Sequence, residues 1–299
     1  MNPPPVDLEG LPILSCEWLT YQDPRGASLA GFGSVWDQFP RFAPDTIDYR
    51  DPPRRRYDSV EAAMVELAGE VKPGAHTSTD MYRFRPGSKG RDRPIEMYFS
   101  VSARLDYRRV EHGAGPAGED EVYPQFPSEV GGSIEPALLT EAAAWDELYG
   151  LFKAIAVQLE AYHARITPQA LTNQFLNNGF EYLVLGDVAW INWFGPSVLE
   201  RWGGPDALAG VGVFQERVGE SLVVWATDSA PERDDTLTGI ANYPWKWPFY
   251  NAVGRESWWK ADPDKRDLSW SDQMALLGVH APSPEEHCRF ATQYEEETP

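Results

Sequence analysis

Two stretches of the chain place apolar residues three and four positions apart, the spacing that aligns one face of an α-helix. The first follows Asp58-Ser-Val-Glu61, which has the form of a capping box at a helix start. The second begins near Thr140 and continues to about His163. The apolar stripes are Val60, Met64, Leu67 and Val71 in the first, and Trp145, Leu148, Phe152, Ile155, Leu159 and Tyr162 in the second. We therefore predict two amphipathic helices, the second being the longest.

Shorter apolar runs elsewhere predict β-strands. Within residues 95–105, every second residue is apolar, as in a strand with one buried face. Further strands are predicted at residues 13–21, 81–85, 180–185, 189–194, 211–217 and 222–227, with a short helix at 197–202. Gly219-Glu220 suits the tight turn of a hairpin between the last two strands. The passage between the first strand and Asp58 predicts irregular structure.

These elements predict an α+β fold, in which helices pack on one side of antiparallel sheet. A helix followed by strands occurs in both halves of the sequence, so two similar lobes are possible, at residues 1–110 and 140–299. Residues 111–139 are rich in Gly, Pro and acidic residues, which is typical of a linking surface loop. We expect residues 1–299 to form a single domain that contains both lobes.

Composition narrows the classes of function. Hydrophobic residues make up 42% of the chain and charged residues 24%, as in globular proteins. The formal net charge of −20 would repel nucleic acids and anionic membranes, and favours a basic partner. No apolar run is long enough to span a membrane, and the N-terminus lacks the pattern of a signal peptide. With only Cys16 and Cys288, we expect no disulfide framework and a cytoplasmic location.

The negative charge is unevenly distributed. Residues 110–152 contain nine acidic residues and no Lys or Arg. One interpretation is an acidic face that steers a basic partner towards the protein. The other is a solvated loop followed by the acid-rich first turn of a helix, where carboxylates suit the helix dipole.

The sequence lacks the common arrangements of catalytic residues. There is no His-Glu-x-x-His and no Gly-x-Ser-x-Gly, and Gly31-Phe-Gly-Ser34 lacks the remaining glycine of a dinucleotide-binding loop and predicts a tight turn. A metal site at His280, His287 and Cys288 is disfavoured, because the Pro-Ser-Pro-Glu-Glu between them is typical of a helix start. We expect no catalytic residue, no metal and no cofactor.

An alternative function is that of a carbohydrate-active enzyme or binding protein, which needs paired carboxylates and aromatic platforms. Asp234-Asp235, Glu119-Asp-Glu121 and the twelve Trp supply these residue types. Acids flanked by Pro and Gly are usually solvated, however, which disfavours this alternative. The aromatic segment 243–250 is either a strap over the core or an exposed binding patch. We favour the strap, because exposed aromatic clusters are uncommon in soluble monomers.

The segment Leu183-Val-Leu-Gly-Asp-Val-Ala-Trp-Ile-Asn-Trp-Phe-Gly-Pro-Ser-Val-Leu-Glu-Arg-Trp-Gly-Gly predicts a buried strand, a sharp turn, a short helix and a glycine stop. Together with Val211-Gly-Val-Phe and Leu222-Val-Val-Trp-Ala-Thr, it resembles the C-terminal core of bacterial immunity proteins of type VI secretion and polymorphic-toxin systems. The resemblance is strongest over residues 183–227. We interpret its motif residues as structural; they are Trp190, Asn192, Trp193, Gly195, Pro196, Arg201, Trp202, Gly203 and Gly204.

This resemblance implies an inhibitor that binds one secreted antibacterial toxin, neutralises it by occluding its active site, and performs no chemistry of its own. Toxins paired with such proteins are often nucleases, whose substrate grooves are basic, and the acidity of this chain would suit that partner. We expect the contacts to come from two acidic clusters outside the motif, which are Glu119, Asp120 and Glu121 in the acidic loop, and Asp228, Glu232, Asp234 and Asp235 after the last hairpin.

Overall fold

A ten-stranded antiparallel sheet organises the part of the chain described by the computed structural model, namely residues 3–22, 26, 29, 31–49, 56–71, 76–87, 94–104, 127–172, 184–234 and 243–262. The strands, in chain order, are β1 (Leu14–Thr20), β2 (Thr46–Tyr49), β3 (Arg56–Tyr57), β4 (His76–Phe84), β5 (Ile95–Arg104), β6 (Ser128–Ile134), β7 (His163–Pro168), β8 (Ile191–Phe194), β9 (Phe214–Val218) and β10 (Ser221–Trp225). Their order across the sheet is β3-β2-β4-β5-β6-β1-β7-β8-β10-β9. The first strand of the sequence therefore lies in the middle of the sheet.

Six α-helices accompany these strands in the described residues. They are α1 (Phe32–Asp37), α2 (Val60–Glu70), α3 (Ala142–Gln158), α4 (Gln169–Thr172), α5 (Pro196–Arg201) and α6 (Trp247–Val253). The longest is α3, as its apolar stripe predicts. None of the helices in the described ranges is long and apolar enough to cross a membrane.

The larger part of the core lies between the sheet and α1, α2 and α3. Trp18 of β1 is completely buried there, and its ring lies 5.7 Å from Phe99 of β5 and 5.7 Å from Phe152 of α3. The Trp18 indole N–H also donates to the Phe152 carbonyl at 2.9 Å. Because successive strand residues face opposite sides of a sheet, the neighbouring residues of β1 point away from these helices.

A second cluster covers the opposite face near β8 and β10. Phe194 and Leu222, which are paired in register, pack there with residues of α5 and α6. Trp258 joins this cluster at ring distances of 6.1 Å from Phe194 and 6.2 Å from Phe249. The predicted α+β class with an antiparallel sheet is confirmed, and these short helices form an additional layer at one end of the sheet.

Several local predictions are confirmed. Residues 13–21 contain β1, and Gly219-Glu220 connects β9 to β10. The predicted helix start near Asp58 is observed one residue later, because Ser59 is the cap and its hydroxyl accepts from the Ala62 N–H at 3.1 Å. The predicted strand at 180–185 is not among these, because residues 180–183 lie outside the described part and Leu185 forms only an isolated bridge with Trp258.

The interpretation of residues 111–139 as a loop is wrong at its C-terminal end, where β6 is an inner strand. The Gly131-Gly132 pair, which suggested a loop, allows the neighbouring strand to pack closely. A Cβ atom on Gly132 would collide with the Tyr98 carbonyl and with the backbone of Phe99. Since β1 pairs with both β6 and β7, the sheet runs continuously across the division between the two predicted lobes.

Three further local predictions are wrong. The passage between β1 and Asp58, predicted to be irregular, contains α1, β2 and β3. The long helix ends at Gln158, and His163 begins β7 after a turn in which Glu160 has a φ of 47°. The predicted tight turn at Gly31–Ser34 is instead the start of α1. Gly33 is required there because a Cβ atom would meet the Glu61 backbone at 2.6 Å, so α1 and α2 approach closely at this point.

Candidate partner-binding surface

The motif residues around β8 are buried and have a structural role. Trp190, Asn192 and Trp193 are almost completely buried. Asn192 makes a closed pair of hydrogen bonds with Ala189, donating from Nδ2 to the carbonyl at 2.8 Å and accepting at Oδ1 from the N–H at 2.9 Å. The Trp193 indole N–H donates to the Ala161 carbonyl at 3.1 Å. These contacts fix the entry into β8 from both sides.

The turn and helix that follow β8 serve the same purpose. Gly195 lies against the backbone of Ala161 and Tyr162, where a Cβ atom would not fit, and Pro196 opens α5. Trp202 packs 5.1 Å from the Phe194 ring, while Arg201 is exposed at the end of the helix. Gly203 and Gly204 end α5 with φ values of 87° and 105°, in the region that favours glycine.

The second acidic cluster lies at the surface as far as it is described. Asp228, Glu232 and Asp234 are exposed in the segment that follows β10. This segment is held at both ends, since the Thr227 carbonyl accepts from the Trp190 indole at 3.1 Å and the Asp234 N–H donates to the Tyr243 hydroxyl at 2.9 Å. Glu119, Asp120, Glu121 and Asp235 lie outside the described residues.

A groove of about 610 Å³ opens between the N-terminal segment, α3 and β9. We refer to it as the α3–β9 groove. It lies next to the aromatic cluster of the motif, because Trp145 lines it and packs 5.4 Å from Trp190 and 5.9 Å from Trp225. The lining residues used below are Trp145, Asp146, Tyr149, Lys153 and Glu216.

Glu216 of β9 is the best-anchored carboxylate of the α3–β9 groove. It accepts from the Tyr149 hydroxyl and from Lys153 Nζ, both at 2.8 Å, and the Lys153 ammonium lies 4.4 Å from the centre of the Tyr149 ring. Burial, with a further contribution from Glu216, raises the pKa of Tyr149 well above its usual value. The Tyr149 hydroxyl therefore stays protonated and keeps donating to Glu216.

The aromatic segment 243–250 is bound to the body of the protein through a buried network. Lys246 Nζ lies 2.6 Å from Asp187 Oδ2, and the Tyr250 hydroxyl donates to Asp187 Oδ1 at 2.5 Å. Tyr243, Phe249 and Tyr250 are buried, as predicted for a strap, while Trp247 remains 46% exposed. Sequence reasoning missed Asp187 and Lys246. The sequence signal that could have identified each of them is a charged residue within an apolar run.

Sequence reasoning also missed the polar residues that cross the sheet from β4 to β8 on the face opposite α3. Arg165 Nη2 lies 2.6 Å from Glu17 Oε2 across the β1–β7 pair. His163 is completely buried two residues earlier and stacks 5.7 Å from Phe194. Burial, together with the charge of Arg165, holds the His163 pKa well below its usual value. In register, the row consists of Asp80, Ser100, Gly131, Glu17, Arg165 and Asn192.

These positions bear on the other predicted sites. Six Trp side chains, namely Trp18, Trp190, Trp193, Trp225, Trp258 and Trp259, are completely buried and cannot serve as carbohydrate platforms. Within the described residues, no three His, Cys, Asp or Glu side chains come close enough together to hold a metal ion. The disfavoured metal candidates His280, His287 and Cys288 lie outside that part of the chain.

Comparison with solved structures gives a likeness that extends over nearly the whole chain. The chain is similar to the Pseudomonas aeruginosa T6SS protein PA0821, with a TM-score of 0.55 and 15% sequence identity. The match covers 96% of this chain and 88% of that protein. At this identity the likeness concerns the fold alone. No protein-family model matches the chain, and no curated protein matches its sequence.

Proposed function

We propose that this chain is an immunity protein, which binds a toxin secreted by a type VI or related system and neutralises it in the producing cell. The observation that carries the proposal is the likeness to a type VI secretion system protein over 96% of the chain. The sequence resemblance to immunity proteins at residues 183–227 supports the same proposal independently. The motif provides the framework, and the exposed acids around it provide the contacts.

The proposed partner is a nuclease with a basic active-site groove. The net charge of −20 supports this, as do the exposed carboxylates of Asp228, Glu232 and Asp234. An acidic inhibitor is attracted to a groove built for phosphate, which speeds association and favours docking over that groove. Neutralisation is then steric and electrostatic. A specific complex of this kind buries roughly 1,200–2,000 Å² of surface.

Co-expression tests the proposal. The product of the adjacent toxin gene is expressed in a susceptible bacterium, with and without this chain. We expect the chain to restore growth and to co-purify with the toxin. The matched control is an unrelated acidic protein of similar size, which should do neither. Absence of both rescue and binding would refute this pairing. Rescue without inhibition of nucleic-acid cleavage by the purified toxin would refute the choice of a nuclease.

A further inference from the structure

Lys153 of α3 separates two adjoining depressions on the helical face of the sheet. On one side lies the α3–β9 groove, with a volume of about 610 Å³. On the other side lies a smaller depression of about 370 Å³, and Lys153 lines both. The lining of the smaller one, which we call the apolar depression, includes Val35, Ala154, Val157 and Val218. The two depressions therefore adjoin at Lys153, and we refer to the pair as the α3 channel.

The channel runs beside β9, the last strand in the sheet order. Glu216 and Val218 are two positions apart on β9, so both side chains point towards α3. Glu216 lines the α3–β9 groove and Val218 lines the apolar depression. Residues two apart in a strand are separated by about 6.8 Å. An extended peptide alongside β9 would match this spacing with alternate side chains.

The two depressions differ in chemistry. The α3–β9 groove carries the carboxylates of Asp146 and Glu216 against the single ammonium of Lys153, which is already engaged by Glu216. The Trp145 side chain lining the groove is 96% buried, since it is 4% exposed, and its indole N–H has no hydrogen-bond acceptor. The apolar depression instead presents Val157, which is 54% exposed.

We propose that this channel binds an extended segment of the toxin, in which a Lys or Arg and an aliphatic side chain lie two residues apart. The basic side chain enters the α3–β9 groove between Asp146 and Glu216. The aliphatic side chain covers Val157 and Val218. The groove has more carboxylates than ammonium groups, which favours a cationic side chain. That the segment belongs to a toxin rests on the proposed function.

A peptide library tests the channel independently of any toxin. A phage-displayed library of random dodecapeptides is selected on the full-length chain, and the enriched sequences are aligned. We expect enrichment of peptides in which a basic and an aliphatic residue lie two positions apart. Asp146→Lys and Val157→Lys should each weaken binding of the enriched peptides by about tenfold or more, because both change exposed groups of the channel. Both variants change exposed side chains, so folding should be preserved, and a urea unfolding curve checks this.

The matched control is Glu200→Lys, which makes the same charge change as Asp146→Lys but on α5, at the opposite face of the sheet. It should leave peptide binding unchanged. Failure to enrich the pattern, or enriched peptides that bind the channel variants as well as the unaltered chain, would overturn the inference.

The same variants are then tested against the toxin. If the unaltered chain binds the toxin and the channel variants bind it equally well, the channel inference fails while the proposed function stands. If the unaltered chain does not bind the toxin, that pairing fails, and the peptide selection still decides whether the channel recognises the basic and aliphatic pattern.

Discussion

Lys246 and Asp187 form an ion pair of 2.6 Å in which both side chains are completely removed from solvent. Asp187 Oδ1 is also bonded, since it accepts from the Tyr250 hydroxyl and from the Val188 N–H. Burial lowers the pKa of Lys246, and the neighbouring Asp187 carboxylate offsets part of this shift. The pair ties the aromatic strap at 243–250 to the loop before β8, so it joins the C-terminal part of the described chain to the motif.

Breaking this pair should strongly destabilise the protein. Asp187→Asn leaves the Lys246 ammonium buried without its counter-charge, which costs about 3–5 kcal/mol in comparable sites. Tyr250→Phe removes one hydrogen bond and leaves the ion pair, so we expect a loss of about 1–2 kcal/mol. Urea unfolding followed by tryptophan fluorescence measures both. Equal losses for the two variants would show that the ion pair contributes nothing beyond its hydrogen bonds.

Stability should fall below pH 6.5 because of His163. Its folded-state pKa is depressed by burial and by Arg165, so the unfolded chain binds a proton at this residue that the folded chain does not. Protons therefore favour the unfolded state, and this contribution to stability is lost as the pH falls below about 6.5. Between pH 7.5 and pH 5.5 the loss should reach about 1 kcal/mol.

His163→Gln provides the comparison, because glutamine does not titrate in this range. The difference in unfolding free energy between the two proteins should change over the pH interval by the amount attributed to His163. Parallel pH profiles would contradict the assignment, because the remaining titrating groups are common to both proteins.

Two glycines should respond oppositely to alanine. In Gly132→Ala, the new methyl group would collide with the backbone of β5, so we expect a loss of about 1–3 kcal/mol. In Gly69→Ala, the methyl group meets nothing within 4 Å and replaces a glycine inside α2. This change should stabilise the protein by about 0.5–1 kcal/mol. Thermal unfolding measures both, and a neutral Gly132→Ala would contradict the close strand packing.

Charge reversal in the segment after β10 should slow association with the proposed toxin partner. Replacing Asp228, Glu232 and Asp234 with Lys removes long-range attraction, so the association rate at low salt should fall by about tenfold or more and depend less on salt. Stopped-flow fluorescence at several salt concentrations measures this. The control reverses Glu200 and Asp206, which are also exposed. If both sets of reversals slow association equally, overall charge rather than this segment controls the encounter.

The elements that could be predicted from the sequence are those whose pattern is local. The stripe from Trp145 to Ile155 identifies α3, and Gly219-Glu220 identifies the last hairpin, because each signal lies within a few turns or residues. For β6, the same local reasoning fails. Gly131 and Gly132 weaken the strand pattern, and the close approach of Tyr98 that requires a glycine becomes visible only when β5 and β6 are paired.

The candidate partner-binding surface likewise has features that could be predicted from the sequence and features that could not. The acids after β10 could be identified from composition, and those in the described residues are exposed. The α3–β9 groove could not be predicted, since it joins the N-terminal prolines, α3 and β9 from distant parts of the chain. Glu216 carries no sequence signal, and its partners Tyr149 and Lys153 are 67 and 63 positions away.

The place of β1 in the sheet also bears on how the protein folds during synthesis. The strands on either side of β1 are β6 and β7, and the hydrogen bond from Trp18 to Phe152 spans 134 positions. Long-range pairing of this kind makes folding slow. Until β6 and β7 have been synthesised, β1 therefore lacks both of its neighbouring strands. Unpaired strand edges promote aggregation. Chains truncated before β7 should accumulate as insoluble material, because β1 then lacks one of its two neighbouring strands and the sheet lacks β8, β9 and β10 as well.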